Sequence, residues 1–253
     1  MVFLSHHTQP GAMAALAALI RECGSSFTIV PLFDRTQGAF AVDHISDAQS
    51  VTCAQATRQL PYPLKHRQHP GTFWPRNIDL PLLWYFQQQP QYEYYWLMEY
   101  DVRFTGDWAD FFRHFAANDS DLLATTIFEY SYRPDWDHWG TLRSPSAIEP
   151  AKRVRALFPL YRVSNAALRA IHAAYCDGWS GHYEVAIPTL LKTQGFCLED
   201  IGGSGAYVAP GNRNRFYCNS PQTPGLAPGT FTVAPNEIRA DYPAKMLWHP
   251  IKG

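Results

Sequence analysis

A single α/β domain with a mostly parallel central sheet flanked by helices is what the sequence predicts, and three observations carry the prediction. The chain opens on an apolar run, a helix and a second β-rich run, and such a β-α-β unit lays its two strands parallel. Tyr94 to Met98 is an apolar and aromatic run without Gly or Pro, as expected of a strand buried on both faces of a parallel sheet. The 253 residues contain no internal repeat, low-complexity tract or linker, and the length is ordinary for one α/β domain spanning residues 1–253.

Taken in order, Val2 to Leu4 forms the first strand. Thr8 with Pro10 reads as an N-cap and first-turn pair that opens a helix from about Gln9 to Cys23, and Gly24 stops it. Phe27 to Phe33 is a second strand ending at Asp34. Gly38 to Ile45 reads as a strand or hairpin arm, and Gln59 to Gly71, rich in Pro, His and Lys, as a surface loop. The cluster Lys65, His66, Arg67 and His69 matches no common zinc-ligand spacing. Trp74-Pro75-Arg76-Asn77 leads into a helix from about Ile78 to Gln88, with Pro81 in its first turn. Beyond Tyr94 to Met98, Thr105-Gly106-Asp107 is a turn or N-cap before a helix over Asp107 to Ala117.

Leu122 to Phe128 is another strand, and Tyr130 to Trp139 an aromatic loop holding Tyr132, Trp136, His138 and Trp139. Ala151 to Leu157 reads as a basic helix and Phe158 to Val163 as a strand. Ser164-Asn165 caps a helix over Ala166 to Tyr175 that Gly178 stops. Val185 to Gln194 is a helix with Pro188 in its first turn and Gly195 at its end.

Composition narrows the function. With 21 Lys and Arg against 22 Asp and Glu, the net charge is −1, which argues against a nucleic-acid partner. The run Ala12 to Ile20 is too short to span a bilayer, so no transmembrane segment is expected, and contact with a membrane surface is left open. A signal peptide is not expected either, because Pro10-Gly11 interrupts the run and Arg21-Glu22 stands where small cleavage-site residues should lie. Five widely spaced cysteines without Cys-x-x-Cys fit a reducing compartment, and a cytoplasmic location is expected.

The chemistry starts at the end of the central strand, where Glu99 and Asp101 arrive together. Both can reach one side of the strand tip if pairing continues or if a turn re-aims them. Paired carboxylates at such a place suit Mg²⁺ or Mn²⁺, whose remaining ligands are water and phosphate oxygens.

The run Tyr-Tyr-Trp-Leu-Met-Glu-Tyr-Asp-Val-Arg-Phe-Thr-Gly from Tyr94 to Gly106 resembles the Asp-x-Asp region of nucleotide-sugar glycosyltransferases of the GT-A fold, and looks like a little-characterised family within that group. Glu99 replaces the first Asp, which leaves Asp101 as the firmer ligand. The resemblance implies a GT-A-like, Rossmann-like domain with a nucleotide-sugar-binding half at 1–105 and an acceptor-binding half at 106–253. It further implies that Asp34, Ser5 and His6 lie where the nucleoside binds, that Arg76 and Asn77 approach the base or phosphate, and that Glu184 is the catalytic base of an inverting enzyme. It ends with His249 completing the metal shell and Lys252 meeting the diphosphate.

Other readings of these residues stand beside it. Asp34 is an ordinary polar strand end, Asn77 a helix cap and Glu184 an acid favoured at any helix N-terminus. Glu199-Asp200 is a rival base site. The expected activity is therefore metal-dependent transfer of a hexose-type sugar from a nucleoside diphosphate donor to a hydroxyl of a glycan or other acceptor, with Mn²⁺ or Mg²⁺ as cofactor. A non-catalytic sugar- or nucleotide-binding protein and a metal-dependent nucleotidyltransferase are the alternatives. The second lacks its expected Gly-rich basic loop, because Ser5 to Gly11 is not one.

Overall fold

The computed structural model describes residues 1–68, 70–74, 76–218, 238 and 240–252. Its strands are β1 (Val2–Ser5), β2 (Val30–Asp34), β3 (Gln49–Val51), β4 (Tyr94–Glu99), β5 (Arg103–Phe104), β6 (Leu122–Glu129), β7 (Val154–Ser164), β8 (Leu198–Asp200) and β9 (Leu247–Trp248). The helices are α1 (Pro10–Cys23), α2 (Cys53–Gln59), α3 (Pro63–Gln68), α4 (Asp79–Gln88), α5 (Trp108–His114), α6 (Asn165–Cys176) and α7 (Tyr183–Thr193). Seven strands form one sheet in the order β3-β2-β1-β4-β7-β6-β8, and β5 pairs with β9 beside it. Only β7 runs against the others, antiparallel to both β4 and β6. The fold is thus α/β and Rossmann-like, with a mostly parallel sheet.

Both faces of the sheet are covered because its strands alternate between two apolar cores. Val2, Leu4, Tyr95 and Leu97 face one core, with α4, α6 and α7; Phe3, Trp96 and Met98 face the other, with α1 and α5. This placement follows from connectivity. The β1-α1-β2 crossover moves outward, the β3-to-β4 crossover returns past β1, and right-handed crossovers in opposite directions put their helices on opposite faces. Between β1 and β4 the strand order reverses, and the carboxyl ends of strands at such a switch point are where ligands bind in open α/β sheets.

Several local expectations change. The 36–48 stretch is irregular, and the short edge strand is β3 instead of Gly38 to Ile45. Thr8 does not cap α1, whose N-cap is Gln9 without a side-chain bond. Gln59 to Gly71 is not a surface loop: it closes α2 and contains α3, whose Lys65 is fully buried, while His69 lies outside the described residues. The expected basic helix at Ala151 to Leu157 is a single 3₁₀ turn, Pro150–Lys152, followed by the start of β7, where buried Val154, Ala156 and Phe158 alternate with the less buried Arg155 and Leu157. Asp107 does cap α5 through the Asp110 amide, and Ser164 caps α6 through the Ala167 amide. Pro188 sits inside α7 instead of in its first turn, so the Glu184 carbonyl lacks the amide four residues on.

Candidate active site

β1 and β4 end side by side, Leu4 paired with Glu99. The Tyr100 amide still donates to the Leu4 carbonyl, and the Val102 amide then donates back to Glu99, closing a tight turn. That turn re-aims Asp101. The C-terminal segment locks against it: Arg103 and Phe104 of β5 pair with Trp248 and Leu247, and the Ile251 amide donates to the Asp101 carbonyl at 2.9 Å. Arg103 fixes the underside by donating to the carbonyls of Tyr100, Val102 and Gly11. One ligand atom each from Glu99, Asp101 and His249 consequently lies within 4.8 Å of the other two.

The electrostatics of this cluster fit a divalent cation. Asp101 is buried, and its Oδ1 has no hydrogen-bond partner among the described residues, with His249 Nε2 3.6 Å away. Its other oxygen, Oδ2, takes the Lys252 ammonium at 2.7 Å. Burial, reinforced by repulsion from Asp101 and Glu184, pushes the Glu99 carboxyl well above the usual carboxylate range. A cation held between the carboxylates would offset that penalty, and two carboxylates with one imidazole are donors that a divalent ion such as Mn²⁺ accepts. Around the cluster, Tyr100 carries the His6 and His7 rings at centroid distances of 5.0 and 4.4 Å, with Trp74 against His6.

Glu184 opens α7 and is buried close enough to Glu99 to add to its repulsion. Burial raises its carboxyl to about 7, and Arg155 opposes the rise. His182, the N-cap of α7, accepts the Glu184 amide and faces the carboxylate at 3.8 Å. The His138 ring stacks flat on His182 at 3.9 Å, and Trp136 carries Arg155 over its ring at 4.3 Å. The aromatic loop thus packs around the proposed base.

The remaining expected residues divide. Asp34 ends β2 and spends one oxygen on the Thr36 amide; burial raises its carboxyl. Asn77 is buried and Arg76 exposed, just after the Trp74 that packs on His6, but the cap of α4 is Ile78 and not Asn77. The rival pair is held by hydrogen bonds within the fold. Asp200 accepts the Tyr217 hydroxyl and the Ile127 and Gly202 amides, while Glu199 accepts Asn118 and Ser120.

Asp200 also has a job in the sheet. β6 is irregular between Leu123 and Phe128, and Thr126 there has φ 55°, a left-handed conformation that is costly for a β-branched residue. Asp200 and Tyr217 take the amides of Ile127 and Thr126 that this irregularity frees from the ladder.

Sequence reasoning missed Tyr100, His182 and Lys65. Lys65 is buried in an ion pair with Asp79 at 3.1 Å and donates to the Gly181 carbonyl, three residues before Glu184. Gly181-His182 before an acidic helix start was the one available signal for His182. A cleft of about 870 Å³ lies at the opposite, amino end of the strands, lined by residues such as Thr28, Gln49 and Tyr92, and holds none of these groups.

Among the described residues no helix is long and apolar enough to cross a membrane, and the five cysteines are free thiols. No curated protein matches the chain. Residues 52–134, about a third of the chain and including Glu99 and Asp101 but neither Glu184 nor the C-terminal segment, match the model of a family described as a protein of unknown function (DUF3405).

Proposed function

We propose that the protein is a metal-dependent glycosyltransferase of GT-A type, moving a sugar from a nucleoside diphosphate to an acceptor hydroxyl with inversion. The observation that carries this reading is the union, at the switch point of the sheet, of Glu99, Asp101 and His249 with Lys252 bonded to the same Asp101. Glu99, Asp101 and His249 would hold Mn²⁺ or Mg²⁺. A bound divalent ion supplies charge neutralisation for the leaving diphosphate.

The chain's own residues do the rest. Lys252, whose side chain is largely exposed, can turn from Asp101 to a phosphate oxygen as a point charge. His6, His7 and Trp74, packed on the buried Tyr100, offer ring surface beside the cluster for the nucleoside. Glu184 takes the acceptor proton. The acceptor oxygen then bonds to the anomeric carbon while the bond from that carbon to phosphate breaks, its electron pair leaving with the diphosphate. A carboxyl raised to about 7 suits a base working near neutral pH, where its proton affinity matches the task.

The test is release of UDP or GDP from a panel of nucleotide sugars with Mn²⁺, in wild type, Asp101→Ala and Glu184→Gln. Calorimetry with the same nucleotides separates an enzyme from a protein that only binds them. If no nucleotide binds with or without metal, the reading fails.

A further inference from the structure

A groove of about 370 Å³ opens beyond the carboxyl ends of β6 and β8, the end of the sheet that also carries the carboxylate cluster. Its wall is Tyr132, 46% exposed, whose ring lies on Phe128 at 3.9 Å and 7°. A ring held flat on another ring is a rigid platform, with little side-chain freedom left to lose on binding. Gly205 forms the floor: a Cβ there would come within 3.0 Å of Phe128 and 3.2 Å of the Ile127 carbonyl, so the backbone approaches as closely as glycine allows.

Polar groups stand at the rim. The Glu129 carboxylate takes Lys192 at 2.7 Å and the Tyr207 hydroxyl at 3.3 Å, and Ser131 and Ser204 line the same groove. A flat aromatic face beside fixed hydroxyls and a carboxylate suits a sugar ring, with CH groups against the ring and OH groups at the rim. Among the described residues no Lys or Arg lines the groove, and the Lys192 ammonium at its rim is spent on Glu129, so the groove offers an anionic sugar no counter-charge and favours a neutral one.

Position relates the groove to Glu184. Phe128 pairs with Arg155 across β6 and β7, and Arg155 is close enough to Glu184 to lower its proton affinity. From β4 to the space between β6 and β8 the strands step by roughly 4.8 Å each, and Phe128 lies about four residues further along the sheet than Glu99, which puts the groove on the order of 15–20 Å from the carboxylate cluster. One sugar ring cannot span that distance, but a short oligosaccharide can. We propose that this groove binds an inner sugar unit of a neutral oligosaccharide acceptor whose terminal hydroxyl reaches Glu184. The link to Glu184 rests on the glycosyl-transfer reading; the groove itself does not.

The labelled full-length protein on an array of neutral, uronate-bearing and sialate-bearing oligosaccharides tests this, followed by titration of the best neutral trisaccharide into wild type, Tyr132→Ala and Tyr132→Phe. Neutral oligosaccharides should bind, and the acidic ones more weakly. Tyr132→Ala should weaken binding roughly threefold to tenfold, Tyr132→Phe should keep it, and UDP binding with Mn²⁺ should be unchanged in both. If UDP and Mn²⁺ bind but no neutral oligosaccharide does, or if Tyr132→Ala binds the trisaccharide as wild type does, the groove proposal is overturned and the transfer reading survives. Trisaccharide binding that depends on Tyr132 in a protein that binds no nucleotide upholds the groove and sinks the transfer reading.

Discussion

Lys252 Nζ lies 2.7 Å from Asp101 Oδ2, so a cation already stands against the carboxylate proposed to hold a metal. That contact predicts effects of opposite sign. Lys252→Ala removes a competitor for Asp101, so it should bind Mn²⁺ alone at least as tightly as wild type. It also removes a charge-assisted donor to phosphate, worth about 1.5–3 kcal/mol, so it should bind UDP or GDP roughly tenfold or more weakly with Mn²⁺ present. Calorimetry reads both. Deleting residues 249–253 is a poorer test, because it also removes buried Ile251 and its bond to Asp101.

Asp101 should couple metal to nucleotide. Two carboxylates and an imidazole leave Mn²⁺ with open positions that phosphate oxygens fill, so each ligand should tighten the other. In Asp101→Ala that coupling should vanish, leaving the same weak UDP affinity with and without Mn²⁺. Metal-dependent UDP binding that persists in the variant would remove Asp101 from the site.

Asp200 is expected to serve the fold and not the chemistry. Its carboxylate accepts three donors, two of them amides freed by the irregularity of β6 and the turn after β8. Asp200→Ala leaves buried donors without acceptors, at about 1–3 kcal/mol each, so stability should fall by roughly 3 kcal/mol or more. Glu199 and Asp200 looked like a base pair in the sequence because two acids before Gly202-Gly203 carry no sign of their tertiary donors. Urea unfolding against turnover per folded molecule separates the two roles.

The central motif was legible for a local reason. Tyr94 to Met98 is apolar on both faces and Glu99 to Asp101 ends it abruptly, so strand and site announce each other within eight residues. The opening β-α-β unit was legible on the same grounds. β7 was misread because Lys152, Arg153 and Arg155 suggested a helix surface, although burial of Val154, Ala156 and Phe158 follows the two-residue period of a strand. Lys65 could not have been read, since what buries it comes from Asp79, Tyr175 and Gly181, distant in sequence. Nor could the meeting of His249 with Asp101 be read from spacing: the pairing of β5 with β9 brings them together.

Lys65 and Asp79 give a further prediction. Both are buried, burial lowers the proton affinity of Lys65 against the pull of Asp79, and Tyr175 donates to the same carboxylate oxygen. Removing one partner strands the other charge, so Lys65→Met should cost about 3–5 kcal/mol, whereas Lys65→Met with Asp79→Leu should recover much of that loss. Since Lys65 also holds the Gly181 carbonyl, the double variant, though folded, should transfer sugar more slowly. A double variant as unstable as the single one would mean that packing, not charge pairing, dominates there.

Glu184 separates base from helix cap most sharply, and pH gives the sign. Burial raises its carboxyl to about 7 from an ordinary value of 4.5, so the folded chain binds this proton more tightly than the unfolded chain does. The stabilisation this provides is full below about 4.5 and is lost as pH rises from there to about 7, roughly 3 kcal/mol in all. Asp200, also raised to about 7, acts in the same direction. Glu184→Gln should therefore flatten, but not abolish, the fall of stability between pH 4.5 and 7. Transfer should run the opposite way, because only the ionised carboxylate accepts a proton: in wild type the rate should rise with pH and level off above about 7. Glu184→Gln keeps shape and hydrogen bonding but cannot take the proton, so UDP and Mn²⁺ should bind normally while transfer falls by roughly 10² to 10⁴ and loses that rise. A mere first-turn acid would cost only about 0.3–1 kcal/mol of stability and leave the pH–rate profile alone. Near-wild-type transfer by Glu184→Gln would assign Glu184 to the fold and point to a retaining mechanism that needs no base at that place.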